Sequence, residues 1–243
     1  AEKTYIAGDD DQAIFKWAGA DVDHFIALKE EVNDIKVLNQ SYRIPGGPIH
    51  ELSQNIINKV QNRFDKDYKP RDDEGILKRY SDITQVDMSK GNWLVLSSAN
   101  YFLDDAKDLC EIQGWYYQFK GRNSIPLKLL MALNNWEAWR KDAQLNHLEI
   151  KNIYEYLGSH VLPGFQKGKT LHSDTKYLMR DCRAEHGLVT DSVWYEAFEG
   201  LDNMTETYIR NMRANGEMIN KNPRIIMSTI HGAKGGEADK VLL

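Results

Sequence analysis

Gly8-Asp9-Asp10-Asp11-Gln12-Ala13-Ile14-Phe15-Lys16-Trp17-Ala18-Gly19-Ala20 follows directly on the apolar Tyr5-Ile6-Ala7 near the N-terminus of the chain. The apolar triplet reads as the end of a buried strand, closed by the turn-former Gly8. Three consecutive carboxylates cannot enter a core unpaired, so they mark a loop at that strand's end. In open α/β sheets this edge is where ligands bind. Gln12 adds a donor and an acceptor to the same loop, suited to a phosphate oxygen and a water. Phe15 and Trp17 follow two apart, each offering a π-face on which an unstacked base can lie. Taken alone, the same residues also describe a solvated acidic turn followed by two core aromatics.

Composition sets the frame. The chain has 243 residues, 42% hydrophobic and 28% charged, which is the balance of an ordinary globular protein with room for one large domain or two small ones. Its formal net charge of −5 gives no global basic field, so any contact to nucleic acid must come from local groove chemistry. Cys110 and Cys182 are too few for a disulfide framework, and no apolar run reaches membrane-spanning length. A reducing, cytoplasmic compartment is the expectation, with no membrane partner. Both ends read as cut inside apolar patterns, so the sequence is expected to be a piece of a longer chain.

Taken in order, Asp21 or Asp23 caps a short helix carrying Phe25, Ile26 and Leu28. A domain boundary is expected near residue 34, followed by a strand at Ile35-Lys36-Val37-Leu38. Pro45-Gly46-Gly47-Pro48 then turns the chain into a helix with the stripe Ile49, Leu52, Ile56, Ile57 and Val60. Residues 62–74 read as a charged loop. Strands are expected at Ile76–Tyr80, Trp93–Leu96 and Trp115–Phe119, with a helix over Leu103–Gln113 stopped by Gly114. Strand, helix and strand in so short a span form a βαβ unit, so the sheet is expected to be largely parallel. From 122 to 221, segments around Leu127–Lys141, Leu148–Leu157, Thr175–His186 and Ser192–Gly216 carry apolar residues at helical spacing. They read as a mostly helical insertion. Strand character returns at Arg224–Met227 and Lys240–Leu243.

Two later stretches give the opening loop its meaning. Leu38-Asn39-Gln40-Ser41-Tyr42-Arg43 and Ser228-Thr229-Ile230-His231-Gly232-Ala233-Lys234-Gly235-Gly236-Glu237 follow it in the chain. In that order the three resemble motifs III, IV and V of the UvrD/Rep/PcrA-like superfamily 1 DNA helicases, whose motif III usually reads G-D-x-x-Q-S-I-Y-x-W-R-G-A. The resemblance implies an α/β, RecA-like P-loop NTPase architecture: a second RecA-like domain with a parallel sheet, interrupted by a mostly helical inserted domain. Residues 1–34 would be the tail of the first RecA-like domain and 35–121 the first part of the second. The insertion would span 122–221, with the second domain continued over 222–243.

The resemblance also assigns roles. Gln12 would link the γ-phosphate to the DNA site. Arg43 would act as an arginine finger on the charge that builds during phosphoryl transfer, which makes these two the catalytic candidates. Tyr42 would stack on adenine, and Glu237 would accept from ribose hydroxyls. Phe15 and Trp17 would stack single-stranded bases, and Thr229 and His231 would donate to a phosphodiester. Lys234-Gly235-Gly236 can open a helix whose amides face an anion. ATP and Mg2+ are the implied cofactors, and single-stranded DNA and duplex junctions the implied partners. The magnesium ligands and the phosphate-cradling loop are not among these residues. The chain departs from the family pattern at Phe15 for tyrosine, Ala18 for arginine, Gly236 for leucine and Ala238 for an aromatic.

Gly164-Phe165-Gln166-Lys167-Gly168-Lys169-Thr170 nearly spells the phosphate loop G-x-x-x-x-G-K-[ST], but Pro163 occupies the place of its first glycine. It reads as a loop between helices. His186, four after Cys182, lacks the further ligands that a metal site needs. From another class, a non-catalytic, helicase-like scaffold that binds partners through the helical insertion remains an alternative.

Overall fold

Trp93-Leu94-Val95-Leu96, the strongest strand signal in the chain, forms a strand in the computed structural model, which describes residues 4–14, 19, 21–162, 171–217 and 221–243. The chain divides into two compact units, residues 1–81 and 82–243.

The second unit is built on a five-stranded sheet. Its strands are β3 (Trp93–Ser97), β4 (Tyr117–Phe119), β5 (Arg122–Asn123), β8 (Ile225–Thr229) and β9 (Lys240–Leu242), in the order β5-β4-β8-β3-β9. All pairs are parallel except β4 with β5. The expected β3–helix–β4 unit is present, with helix α3 (Asp104–Gln113) between its strands. Its two strands are not neighbours, however, because β8 lies between them and pairs with both. A strand more than a hundred residues downstream thus completes the sheet, as expected of an α/β chain whose sheet is interrupted.

The helices follow their apolar spacing. In α3, Ala106, Leu109 and Cys110 are buried at i, i+3 and i+4. Gly114 ends it at φ +69°, a left-handed position that disfavours any side chain, and a Cβ there would also meet the backbone of Asn211. The interrupting segment contains α4 (Leu127–Trp139), α5 (His147–Tyr154), α6 (Met179–Glu185), α7 (Trp194–Ala197) and α8 (Asn203–Ala214). A short antiparallel pair, β6 (Leu145–Asn146) and β7 (Lys176–Tyr177), lies among them. Asn146 starts α5 with a capping box closed by Glu149. The periodic segment Ser192–Gly216 holds two helices, α7 and α8, separated around Gly200 at φ +82°.

One apolar cluster joins sheet and helices. Val95, Tyr117, Ile225 and Met227 from the strands pack in it together with Leu133, Trp136, Ile150, Tyr154 and Ile209. Trp136 is fully buried, donates from Nε1 to the Ser192 carbonyl at 3.0 Å, and meets Trp139 and Phe198 edge-on. Burial pushes the Cys110 thiol up to about 12 and the Cys182 thiol up to about 11, so both are unreactive core groups.

The first unit departs from the sequence reading in three places. Tyr5-Ile6-Ala7 forms no strand, and Tyr5 is 87% exposed, because no described strand pairs with it. Ile35–Leu38 is likewise irregular and exposed. The strand begins later, as β1 (Gln40–Gly46), and runs through the residues expected to turn the chain. Its partner is β2 (Lys69–Glu74), inside the stretch read as a charged loop. The pairing is parallel, with two register shifts, and β2 is exposed at nearly every position, so it carries none of the alternation that marks a half-buried strand. Ile76–Tyr80 has no strand structure. Helix α1 (Val22–Ala27) is capped by Asp21, and α2 (Pro48–Ile57) starts on Pro48, both as expected. The α2 stripe is only half covered, with Ile56 59% exposed. Among the described residues of this unit, the fully buried ones are polar: Asp10 and Ser41.

Trp136→Ala should lower the unfolding free energy of the second unit by about 3–5 kcal/mol, the usual range for emptying a buried aromatic site. A urea titration followed by tryptophan fluorescence measures it, and a loss under about 1 kcal/mol would mean that the site collapses around the gap.

Candidate functional site

The acidic loop is where the first unit concentrates its charge. Asp10–Gln12 forms one 3-10 turn, capped by Asp9, whose Oδ1 accepts from the Asp11 amide at 3.2 Å. The three carboxylates converge on one ammonium. Lys66 Nζ lies 2.9 Å from both Asp9 Oδ1 and Asp11 Oδ2, and it also pairs with Asp10. Arg63 grips Asp11 with a bidentate pair, Nε to Oδ1 and Nη2 to Oδ2, each at 2.9 Å. The Phe64 amide donates to Asp10 Oδ2 at 2.6 Å. Arg63 and Lys66 lie in the charged stretch read as a loop, where no local pattern pointed to a shared target. The three carboxylates thus form an ion-paired cluster with Asp10 inside it, and not the solvated acidic turn that the residues taken alone also describe.

Electrostatics follow from this arrangement. Partial burial favours the neutral form of Asp9, but hydrogen bonds from Lys66 and Gln12 outweigh it and lower its pKa. The Arg63 guanidinium lowers Asp11 first, with Lys66 adding to it against partial burial. Burial opposes the Lys66 charge, yet its bonds to Asp10, Asp9 and Asp11 prevail and raise its pKa. Asp9, Asp10 and Asp11 bring ligand oxygens within 4.8 Å of one another, but Lys66 supplies the positive charge among them.

Gln12 sits on this loop and donates from Nε2 to Asp9 Oδ2 at 2.5 Å. Tyr42 and Arg43 are consecutive on β1 and both exposed, with the Tyr42 ring 85% accessible. Ser41, buried on β1, holds the local backbone: its Oγ accepts from the amides of Arg43 at 3.2 Å and Ile44 at 3.0 Å. Phe15 and Trp17, the expected base-stacking pair, lie outside the described residues, as does the near-loop Gly164–Thr170.

In the second unit, Thr229 and His231 lie where the sequence put them, at and just beyond the C-terminal end of β8. Thr229 Oγ1 accepts from the Gly232 amide at 3.1 Å, and Ile230 N donates to the Ser97 carbonyl of β3 at 2.9 Å. His231 and Glu237 are exposed. The expected helix at Lys234-Gly235-Gly236 is absent. Residues 230–235 are turns, Gly235 has φ +83°, and β9 begins only a few residues later, which leaves no helical backbone and no length for one. No array of helix-terminal amides is therefore formed there. Thr229 and the following turn nonetheless occupy the carboxyl edge of a parallel sheet, at a strand flanked on both sides, where α/β sheets place ligands.

No protein-family model matches the chain, and no curated protein or solved structure matches it either. Among the described residues, no helix is long and apolar enough to cross a membrane.

The charge cluster makes the first unit's stability depend on pH in a fixed direction. Asp9 and Asp11 are depressed in the folded state, so their contribution is present above the ordinary aspartate value of about 3.9 and is lost as pH falls through their folded values. Lys66 is raised, so its contribution is present below about 10.4 and is lost only as pH rises beyond that. Melting should be flat between these limits and fall on the acid side. Lys66→Met, which leaves the buried Asp10 without its ion pair while Arg63 still holds Asp11, should cost up to about 3–5 kcal/mol at neutral pH and flatten that acid limb. Thermal melts of both proteins across the acid range test it. An unchanged acid limb in Lys66→Met would show that the cluster does not couple to folding.

Proposed function

We propose that the chain is part of an ATP-dependent superfamily 1 DNA helicase, which couples ATP hydrolysis to translocation on single-stranded DNA and duplex unwinding. The observation that carries this reading is positional. Three motifs follow one another in family order, and the last begins on a central strand of a largely parallel sheet, with Thr229 and His231 at its carboxyl end. The fold expected of a RecA-like second domain has this kind of sheet, with a helical segment inserted before its closing strands.

Within that reading the residues divide the work. Tyr42 presents an open aromatic face for adenine, and the adjacent Arg43 brings a guanidinium to the phosphates. Gln12, seated on the clasped acidic loop, reports the γ-phosphate to the DNA side. Glu237 accepts from the ribose. Thr229 and His231 hold the DNA backbone, and Phe15 and Trp17 stack its bases. ATP with Mg2+ supplies the phosphoryl group whose transfer drives movement. The amide cradle, its lysine and the magnesium carboxylates are not provided by the described residues, since Asp9–Asp11 are already committed to Lys66 and Arg63.

Two outcomes are expected. The 243-residue chain alone should show no ATP hydrolysis and at most millimolar nucleotide affinity, because a stacking face and one or two charges are poorly preorganised without the cradle. Micromolar binding by titration calorimetry would point to a phosphate site that these motifs do not contain. In a protein where the chain is joined to a phosphate-binding domain, Arg43→Ala should reduce turnover by about 10³–10⁵ and change nucleotide affinity far less. Steady-state hydrolysis surviving within about tenfold of wild type would remove the finger from Arg43.

A further inference from the structure

Beyond the three motifs, the carboxyl edge of the five-stranded sheet carries an aromatic pair. Tyr101 and Phe102 lie in the 3-10 turn Asn100–Leu103 that leads from β3 into α3, and this turn touches the ends of both β3 and β8. Their rings are 66% and 58% exposed, with centroids 4.1 Å apart and planes inclined at 43°. The next residue, Leu103, fills the core position of this turn at 1% exposure. Packing therefore does not account for the aromatic character of Tyr101 and Phe102. A phenylalanine usually hides from water, and a pair held open at a ligand-binding edge has another use.

The rest of the edge supplies charge. At the end of β4, Phe119 carries the Lys107 ammonium 4.5 Å and the Lys120 ammonium 5.1 Å from its ring centroid. Arg122 follows on β5 and is exposed. Between β4 and β3 lies β8, whose end bears Thr229 and His231. Two strand spacings, about 10 Å, separate the ends of β3 and β4. Acidic residues lie near it as well: Asp104, which pairs with Lys107, Asp105 in the first turn of α3, the exposed Asp108 next to Lys107 in the chain, and the exposed Glu237. Aromatic faces on one side and cations on the other match a polyanion with stackable rings. Single-stranded DNA has that chemistry, whereas a duplex keeps its bases stacked inside.

We propose that Tyr101 and Phe102 form a base-stacking platform for single-stranded DNA, with Lys107 and Lys120 holding the phosphates on the β4 side. The inference rests on the helicase reading and adds a contact that none of the three motifs includes. Bases stack on the ring pair as the strand crosses the end of β8, so Thr229 and His231 meet the backbone between the aromatic and the cationic ends.

Fluorescence anisotropy of the full chain with a labelled oligothymidylate, repeated over a range of salt, tests it. Tyr101→Ala/Phe102→Ala should weaken binding by roughly tenfold to a hundredfold, the effect of losing one stacked base or two. Because no charge is removed, the slope of log affinity against log salt should stay unchanged, whereas Lys120→Ala should reduce it by about one. Tyr101→Trp/Phe102→Trp, which keeps both π-faces, should retain affinity, and Ile112→Ala, which trims an exposed apolar residue elsewhere on α3, should do nothing. Equal affinity of wild type and the double alanine variant, with circular dichroism showing both folded, overturns the platform and leaves the helicase reading standing. Wild-type chain that binds no oligothymidylate at any salt overturns both.

Discussion

The second unit depends on one pairing: β3 with β8, in register from Trp93 against Ile225 to Ser97 against Thr229. It joins segments separated by most of that unit, so its closure orders everything between them. Loop-closure entropy rises only slowly with length, and a long helical interruption is therefore tolerable if the pairing is strong enough. Here it is strengthened on both sides. Val95, Ile225 and Met227 enter the core, β4 and β9 extend the sheet, and α8 returns to α3, where Tyr208 OH donates to the Trp115 carbonyl at 2.8 Å. The helical segment is thus not a separate appendage but shares one apolar core with the sheet.

The two edges of that sheet are treated differently. At the amino end, Arg224 binds Glu217 and the carbonyls of Met88 and Gly91, and the Lys240 ammonium lies 5.0 Å from the centre of the Trp93 ring. Asn92 is tied to Asp239. These contacts close the amino edge with side chains. The carboxyl edge is instead made of turns, with Thr229, His231, Tyr101 and Phe102 carried on short connections. Open backbone and accessible side chains gather there because parallel strands all end on the same side and their connections begin there.

The first unit reaches order by another route. It has no fully buried apolar residue among those described, and its stability rests on the β1–β2 ladder and on the Asp9-Asp10-Asp11 cluster gripped by Arg63 and Lys66. Ion pairs of this kind hold geometry as much as they add stability, because each partner left alone would be a partly buried charge. For the loop that carries Gln12, this means that its shape is set by residues more than fifty positions away.

Elements carrying their own local code were legible in the sequence. The β3 apolar run, α3 with its glycine stop, the proline-led α2, the Asp21 cap and the helical spacing around Leu127–Lys141 and Leu148–Leu157 all fold as the spacing dictates, since short-range sterics and periodic burial fix them. The candidate residues Gln12, Tyr42, Arg43, Thr229, His231 and Glu237 were picked out by motif order and by resemblance to the helicase family. Long-range partners were not legible. That β2 is a strand, that Ile35–Leu38 and Ile76–Tyr80 are not, that β8 separates β3 from β4, and that Lys66 pairs with three aspartates are decided by which segments meet. A strand such as Lys69–Glu74 gains its structure from the hydrogen bonds of its neighbour, and a carboxylate gains its burial from a distant cation. Neither partner leaves a trace in the residues beside it, so only the tertiary structure could decide them.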